Sequence, residues 1–248
     1  MDAEGGEIVA ARSAIRGVSC VVLWGLAMPV LAGPPLLCHR YEIGDRPSLP
    51  DPDLVDALPG PRGLDIYALF LMLSREQETL VRMETIRRAA LWRVDAGALL
   101  HGLDLHGPDN TLGWSRRFNY AYARLTLAHA GLIEGDSDAM LRDLREAVEP
   151  LRDDPAAWLA LARATFPLVC GDEFRREHAD AFVRACDLVE AMPDTPARGR
   201  LRAAIDYDLD HLEAYLLDEG LKGKGIVPDR ASRLAALREI AATGEEEE

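Results

Sequence analysis

The chain has 248 residues, of which 42 are acidic and 28 are lysine or arginine, so its net charge at neutral pH is −14. A surface of this charge repels nucleic acids and anionic lipids, so we expect no nucleic-acid partner. The charge is uneven, because residues 134–248 hold 27 acidic against 15 basic residues, whereas residues 75–124 hold eight arginines against six acids. We interpret both regions as charged, solvated helix faces; a docking surface is the alternative.

The first 32 residues have the pattern of an export signal. Arg12 and Arg16 precede an almost entirely apolar run over residues 17–28, and Pro29 then interrupts any helix. The run closes on Val-Leu-Ala, which places small residues where a signal peptidase reads, so we predict cleavage after Ala32. The mature protein is therefore expected in the periplasm or outside the cell.

Two features of this segment leave alternatives open. Asp2, Glu4 and Glu7 stand where a signal is neutral or basic, so translation could begin at an internal codon such as Val9 instead of Met1. A buried N-terminal helix is the other interpretation. The apolar run is shorter than the roughly 20 residues that cross a bilayer, so we predict no stable membrane span after cleavage.

Proline, glycine and helical spacing divide the rest of the chain. Residues 33–63 contain seven prolines and are predicted to form an extended arm that packs along the helices or reaches past them. Apolar residues then recur at helical spacing through residues 64–220, and strand patterns are missing. Within this part Ser137 is predicted to cap one helix, and a later helix is predicted over residues 200–219. Residues 221–248 are predicted to form a hinge, a short helix and an acidic tail. The fold class is therefore all-α.

Paired helices with short connections predict an array of antiparallel helix pairs. From residue 121 onward the pattern resembles tetratricopeptide repeats. Residues 154–162 (DPAAWLALA) carry Trp158 and Leu161 at the spacing of that repeat, although no further segment has the full pattern. Such a stack leaves a groove for a partner.

Motifs for metal, cofactor or covalent chemistry are weak. Cys38 and His39 are adjacent, but no other cysteine or histidine lies at ligand spacing nearby, so we predict no metal and no cofactor. After signal cleavage Cys38, Cys170 and Cys186 remain, which leaves one disulfide possible and its pairing undetermined. Cys186 falls at a core-facing position of its helix and is predicted to be a buried thiol.

The most notable polar cluster comprises Arg82, Glu84, Arg87 and Arg88. On a helix, Glu84 and Arg88 are i,i+4 partners, which stabilise a helix by a few tenths of a kcal/mol. We interpret the cluster as a charged surface with a salt bridge. The sharper hypothesis is that its arginines receive an acidic partner or the acidic later helices, so the cluster, with Cys38 and His39, forms our set of candidate binding residues.

Two stretches carry a family resemblance. Residues 33–50 (GPPLLCHRYEIGDRPSLP) and 78–92 (ETLVRMETIRRAALW) resemble an uncharacterised family of exported bacterial proteins with a Gly-Pro-Pro mature start and a helical body. The resemblance implies that the arm and the arginine-bearing helix belong to one structural unit, and that cleavage falls beside Gly33. It implies no activity and no functional residue.

We therefore expect an exported helical-repeat protein that binds another envelope or secreted protein or a peptide without catalysis. One alternative is a structural subunit of an envelope assembly whose arm grips a neighbour. The other is an enzyme of unrecognised type that combines the polar residues of helix 80–94 with His101 or His106. A histidine and a carboxylate in contact within a deep pocket would favour the enzyme.

Overall fold

The computed structural model describes residues 35–52, 66–105, 113–166, 172–211 and 229–242. Within these ranges every regular element is an α-helix or a 3₁₀ turn and no strand occurs, which confirms the prediction of an all-α fold. They belong to the unit Pro35–Glu248. The predicted signal, residues 33–34 and 53–63 of the predicted arm, the predicted hinge and the acidic tail lie outside the described residues.

The helices follow one another with short connections. In chain order they are α1 Pro35–Cys38, α2 Ile66–Arg75, α3 Thr79–Leu91, α4 Ala96–Leu105, α5 Gly113–His129, α6 Ser137–Val148, the 3₁₀ turn η1 Glu149–Leu151, α7 Pro155–Thr165, α8 Asp172–Ala191, α9 Pro196–His211 and α10 Arg230–Ala242. No described helix combines the length and the apolar composition that crossing a membrane requires.

Local chemistry sets the boundaries of these helices. Gly131, with φ of 65°, ends α5, while the amide of Leu132 bonds to the carbonyl of Leu127. We expected Ser137 to cap α6, but the cap is Asp136, whose carboxylate accepts from the amide of Asp138.

The predicted start of α9 at residue 200 is also wrong. The helix begins at Pro196, because proline is well suited to the first helical position. The hydroxyl of Thr195 accepts from the amide of Arg198 and so satisfies one donor of the first turn.

Alternate helices contact one another in sequence. Helix α3 packs on α5 and α7, α5 packs on α7, and α7 packs on α9. The intervening helices pack against their chain neighbours: α4 on α5, α6 on α5 and α7, α8 on α7 and α9, and α10 on α8 and α9. Helix α7 is the centre of this arrangement, since each of its residues is buried.

We name residues 35–52 the N-terminal segment. It begins with α1, which contacts α3, α5 and α7, and continues without regular structure apart from a turn at Gly44. It is therefore not extended throughout. Its side chains Leu36, Tyr41, Ile43 and Leu49 are buried in the same core as the helices, so the segment is part of the packed structure.

Candidate functional site

The charged cluster on α3 lies in the interior. Arg82, Glu84 and Arg87 are 5%, 0% and 0% exposed, so our interpretation of these residues as a solvated surface is wrong. The physical reason is that the N-terminal segment covers the face of α3 that carries Glu84 and Arg87, whereas Arg82 is buried against α5. Burying charges in this way is stable only when each is paired and hydrogen-bonded.

Glu84 is the centre of this cluster. Its carboxylate accepts hydrogen bonds from Nε and Nη2 of Arg87 at 2.8 and 3.1 Å and from Nε of Arg88 at 2.7 Å. It also accepts one from the backbone amide of Tyr41 at 3.0 Å. Burial by itself lowers the pKa of Arg87, but the bonds and charge of Glu84 leave that pKa above its ordinary value. The expected Glu84–Arg88 salt bridge is present.

The remaining donors of this face hold the backbone of the N-terminal segment. Nη1 of Arg87 donates to the carbonyl oxygen of Leu37 at 2.7 Å, and Nη1 of Arg88 donates to that of Leu49 at 2.6 Å. The indole of Trp92 donates to the carbonyl of Pro50 at 2.8 Å. Arg87 and Arg88 thus bind polypeptide, and the polypeptide is a segment of their own chain.

A second buried ion pair joins α7 to α9. Arg163 and Asp208, 1% and 0% exposed, form a two-pronged pair with both N–O distances at 2.8 Å. Nη1 of Arg163 also donates to the carbonyl of His39 at 2.7 Å, and its guanidinium lies 3.9 Å from the centre of the Tyr41 ring. Arg163 therefore donates to the backbone of the same N-terminal segment as Arg87 does.

Electrostatics keep this second pair charged. Burial by itself raises the pKa of Asp208, but the adjacent guanidinium of Arg163 and the imidazole of His39 hold it below its ordinary value. Nδ1 of His39 lies 3.6 Å from a carboxylate oxygen of Asp208, too long for a hydrogen bond. Because His39 is 4% exposed, this histidine and carboxylate are closed to a substrate.

Arg82, another predicted site residue, does not take part in the contact between α3 and the N-terminal segment. Arg82 donates to Asn119 of α5, to Thr79 and to the carbonyls of Glu76 and Gln77, so it joins the beginning of α3 to α5. The side chain of Cys38 lies outside the described residues.

Two histidines from the enzyme alternative can be placed only in part. His101 is exposed on α4, and His106 falls outside the description. Among the described residues, no group of three or more His, Cys, Asp or Glu side chains could hold a metal ion. Cys186 is buried and unbridged, as its register predicts.

Tyr41, Arg163 and Asp208 are not among the site residues that were predicted from the sequence. Asp208 had a detectable signal, since it shares a helical face with Leu201, Ala204 and Ile205, all of which are buried. Arg163 likewise interrupts a run of alanine and leucine that is apolar on every side. A charged residue at a core position of one helix predicts a residue of opposite charge at a core position of another helix.

Two cavities open beside this network. A groove of about 460 Å³ lies where α3, α7 and α9 begin, with Leu80, Met192 and Leu201 among its apolar lining and Glu78, Asp153 and Asp154 as its charged residues. A cavity of about 340 Å³ lies between α8, α9 and the beginning of α10.

Comparison with protein-family models, with curated proteins and with solved structures finds no match to this chain. The function is therefore argued from the geometry of the molecule itself.

Proposed function

We propose that this chain is an exported, non-catalytic binding protein whose helices form a tetratricopeptide-like array for holding an extended polypeptide. Export rests on the signal pattern of residues 1–32 and on the resemblance of residues 33–50 to exported bacterial proteins. A proline-rich arm over residues 33–63, of which residues 35–52 lie against the helices, is part of the same proposal.

The packing order supports an array of helix pairs. In a stack of two-helix repeats, the first helices of successive pairs contact one another and line one face. Helices α3, α5, α7 and α9 have this relation, and each is followed by a helix that packs on it or on the next. The N-terminal segment contacts α3, α5 and α7, which would make their shared face the binding surface.

The observation that carries the proposal is recognition of backbone atoms. Side chains of α3, of α7 and of the turn after α3 bond to the carbonyls of residues 37, 39, 49 and 50 and to the amide of residue 41. Bonds to backbone atoms hold a polypeptide whatever its side chains, while pockets for a few side chains supply selectivity. Here Tyr41, under Arg163, is the main anchor.

A partner would thus bind by replacing the N-terminal segment. In a second case, one copy of the chain would place its N-terminal segment on the helices of another copy. The second case is the envelope-assembly alternative. The enzyme alternative has less support, because the described histidine nearest a carboxylate, His39, is closed to solvent.

A nicking experiment tests the proposal. A specific protease site is placed within residues 53–65 of the full chain, the chain is cut, and the product is passed over a sizing column. We expect the segment to stay bound after cutting and to exchange with a labelled synthetic peptide of residues 33–52. A peptide with Tyr41→Ala should exchange at least tenfold less well.

Matched variants assign the exchange to the described contacts. Glu84→Gln should speed release of the cut segment, because Glu84 accepts from the amide of Tyr41, whereas Glu146→Gln on the exposed face of α6 should leave the rate unchanged. Immediate loss of the segment from still-helical protein would refute the proposal. So would unfolding of the helices on release, since exchange would then be impossible.

A further inference from the structure

Seven described residues line the cavity between α8, α9 and α10, of which three are arginines and one is Cys186. The volume of this cavity is about 340 Å³, and Arg198, Arg202 and Arg230 line it together with Glu190 and the apolar side chains of Val189 and Ile205. Two of these arginines come from α9 and the third is the first residue of α10. It is distinct from the contact that holds the N-terminal segment.

The neighbouring carboxylates of Asp206 and Glu190 neutralise the charge of these three arginines only in part. Nε of Arg230 donates to Asp206 at 2.6 Å. Arg202 reaches the same carboxylate only at 3.9 Å, and Arg198 makes a 3.4 Å bond to the backbone carbonyl of Glu190. Three guanidiniums thus meet the carboxylates of Asp206 and Glu190, which leaves an excess of one positive charge.

This excess stands out against its surroundings. Residues 134–248 contain 27 acidic and 15 basic residues, so the summed field of this half of the sequence is negative. A local positive cavity in such a field selects compact anions that can enter, and rejects large acidic surfaces.

The positions of the arginines on their helices add to the charge. Arg198 lies in the first turn of α9 and Arg230 in the first turn of α10, and neither first turn contains an acidic residue. The amino end of a helix carries a partial positive charge, so cations there are unfavourable and an anion there is favoured. At α10 the carboxylate of Asp229 already accepts from the amide of Ser232, so it is the amino end of α9, capped by the neutral hydroxyl of Thr195, that an anion in the cavity would stabilise.

We propose that this cavity binds a small organic polyanion, a molecule with two or more carboxylate or phosphate groups on a short carbon skeleton. A guanidinium group can form two parallel hydrogen bonds to the oxygens of a carboxylate or phosphate. Arg198 and Arg202, whose own partners are distant, therefore supply the bidentate contacts to the anion. Val189 and Ile205 contact the carbon skeleton. The inference does not depend on the proposed polypeptide binding.

Calorimetric titration of the full chain with citrate, and separately with inorganic phosphate, tests the site at constant ionic strength. We expect saturable one-to-one binding of citrate and weaker binding of phosphate, which lacks a carbon skeleton. Arg198→Gln with Arg202→Gln should weaken citrate binding at least tenfold. The matched double change Arg142→Gln with Arg152→Gln, at exposed positions that carry the same charge, should leave it within twofold.

A second pair of variants separates charge from geometry. Arg198→Lys with Arg202→Lys keeps both charges but removes the bidentate hydrogen bonds, so the affinity for citrate should fall several-fold and remain measurable. Absence of saturable binding to either anion in the unaltered chain would overturn the inference, as would equal weakening by the Arg142 and Arg152 variant. Because the nicking experiment reads segment release, failure of one proposal leaves the other unaffected.

Discussion

Arg163 and Asp208 carry full charges in a part of the core from which solvent is excluded. Their attraction is effective there because Nε and Nη2 of Arg163 both donate to Asp208, while Nη1 donates to the carbonyl of His39. A buried pair of this kind stabilises weakly relative to an apolar core, but removing one partner strands the other charge. The two residues therefore matter more as a pair than either does alone.

This predicts a strongly non-additive pair of substitutions. Arg163→Met leaves the Asp208 carboxylate buried without a partner and should lower the free energy of unfolding by about 3–5 kcal/mol. Adding Asp208→Leu should restore much of that loss, because no stranded charge then remains. Urea denaturation of the single and double variants measures both.

An exposed pair provides the control for this prediction. Arg124→Met breaks the Arg124–Asp143 salt bridge between α5 and α6, whose side chains are 34% and 47% exposed, and should cost less than about 1 kcal/mol. Equal losses from Arg163→Met and Arg124→Met would contradict the account of a buried, solvent-free pair.

At the scale of elements, helix α3 shows how a polar sequence becomes a core helix. The charged side chains Glu84, Arg87 and Arg88 pair with one another and form hydrogen bonds to the backbone of the N-terminal segment. Protein therefore covers this polar face of α3 and excludes water from it. The short connections around it are set by caps. Arg93, in the left-handed region at φ of 53°, ends α3, and the amide of Val94 bonds back to the carbonyl of Ala89.

Two aspartate caps should differ in their importance. Asp136 caps α6 through one bond, whereas Asp154 caps α7 and also accepts from the hydroxyl of Thr79 at 2.5 Å, which ties α7 to α3. Asp136→Ala should cost about 1 kcal/mol of unfolding free energy, the usual value of an N-cap, and Asp154→Ala about 2 kcal/mol or more. Chemical denaturation of both variants measures the difference.

The conservative variant separates the two roles of Asp154. Asp154→Asn keeps an oxygen for the cap, so it should recover part of the loss. A Thr79→Val change should cost less in the Asp154→Ala background than in the unaltered chain, because only the bond from Arg82 to the Thr79 hydroxyl then remains to be lost. Equal costs for Asp136→Ala and Asp154→Ala would mean that the tie to Thr79 adds no stability.

At the scale of the whole molecule, the N-terminal segment and the helices share one core. Tyr41 from the segment and Tyr122 from α5 are both buried with their hydroxyls close to each other, and within the described residues neither hydroxyl forms a hydrogen bond of normal geometry. Burial raises the pKa of Tyr41 well above its ordinary value and that of Tyr122 to about 12, with the charge of Arg163 opposing in each case. The folded protein thus holds both phenols neutral.

Global stability should therefore fall in alkali. Below about pH 9 the two phenols are neutral in both states and contribute no pH dependence. Between about pH 10 and pH 12 the unfolded chain releases protons that the folded chain retains, so the free energy of unfolding falls as pH rises. For Tyr122 alone, two pKa units at roughly 1.4 kcal/mol each give a loss of about 2 kcal/mol at pH 12 that approaches about 3 kcal/mol above it.

Phenylalanine variants assign this loss to the two residues. Tyr41→Phe and Tyr122→Phe should each reduce the alkaline fall and change stability at pH 7 by less than about 1 kcal/mol, because no hydrogen bond is lost. Tyr207→Phe, at an exposed tyrosine of α9, should leave the alkaline fall in place. An unchanged pH profile in the double Tyr41 and Tyr122 variant would show that other groups cause the fall.

Helix positions were predictable from the sequence because their signals are local. Apolar spacing on α6 and α8, the glycine after α5 and the Asp-Pro pair before α7 act within a few residues of themselves, so the all-α class and most helix bounds follow from the order of residues. The cap of α6 and the start of α9 were missed by one to four residues, since neighbouring polar residues or prolines could serve equally well.

The burial of Glu84 and Arg87, and the pairing of Arg163 with Asp208, were decided by tertiary structure alone. A helical repeat places residues on a common face, but it does not say whether water or another part of the chain covers that face. Arg163 and Asp208 are 45 residues apart, and the carbonyl that Arg163 holds is 124 residues away. By itself the sequence determined the helices and the charges they carry; only the folded chain determined that the N-terminal segment covers those charges, because that contact requires distant parts of the chain to meet.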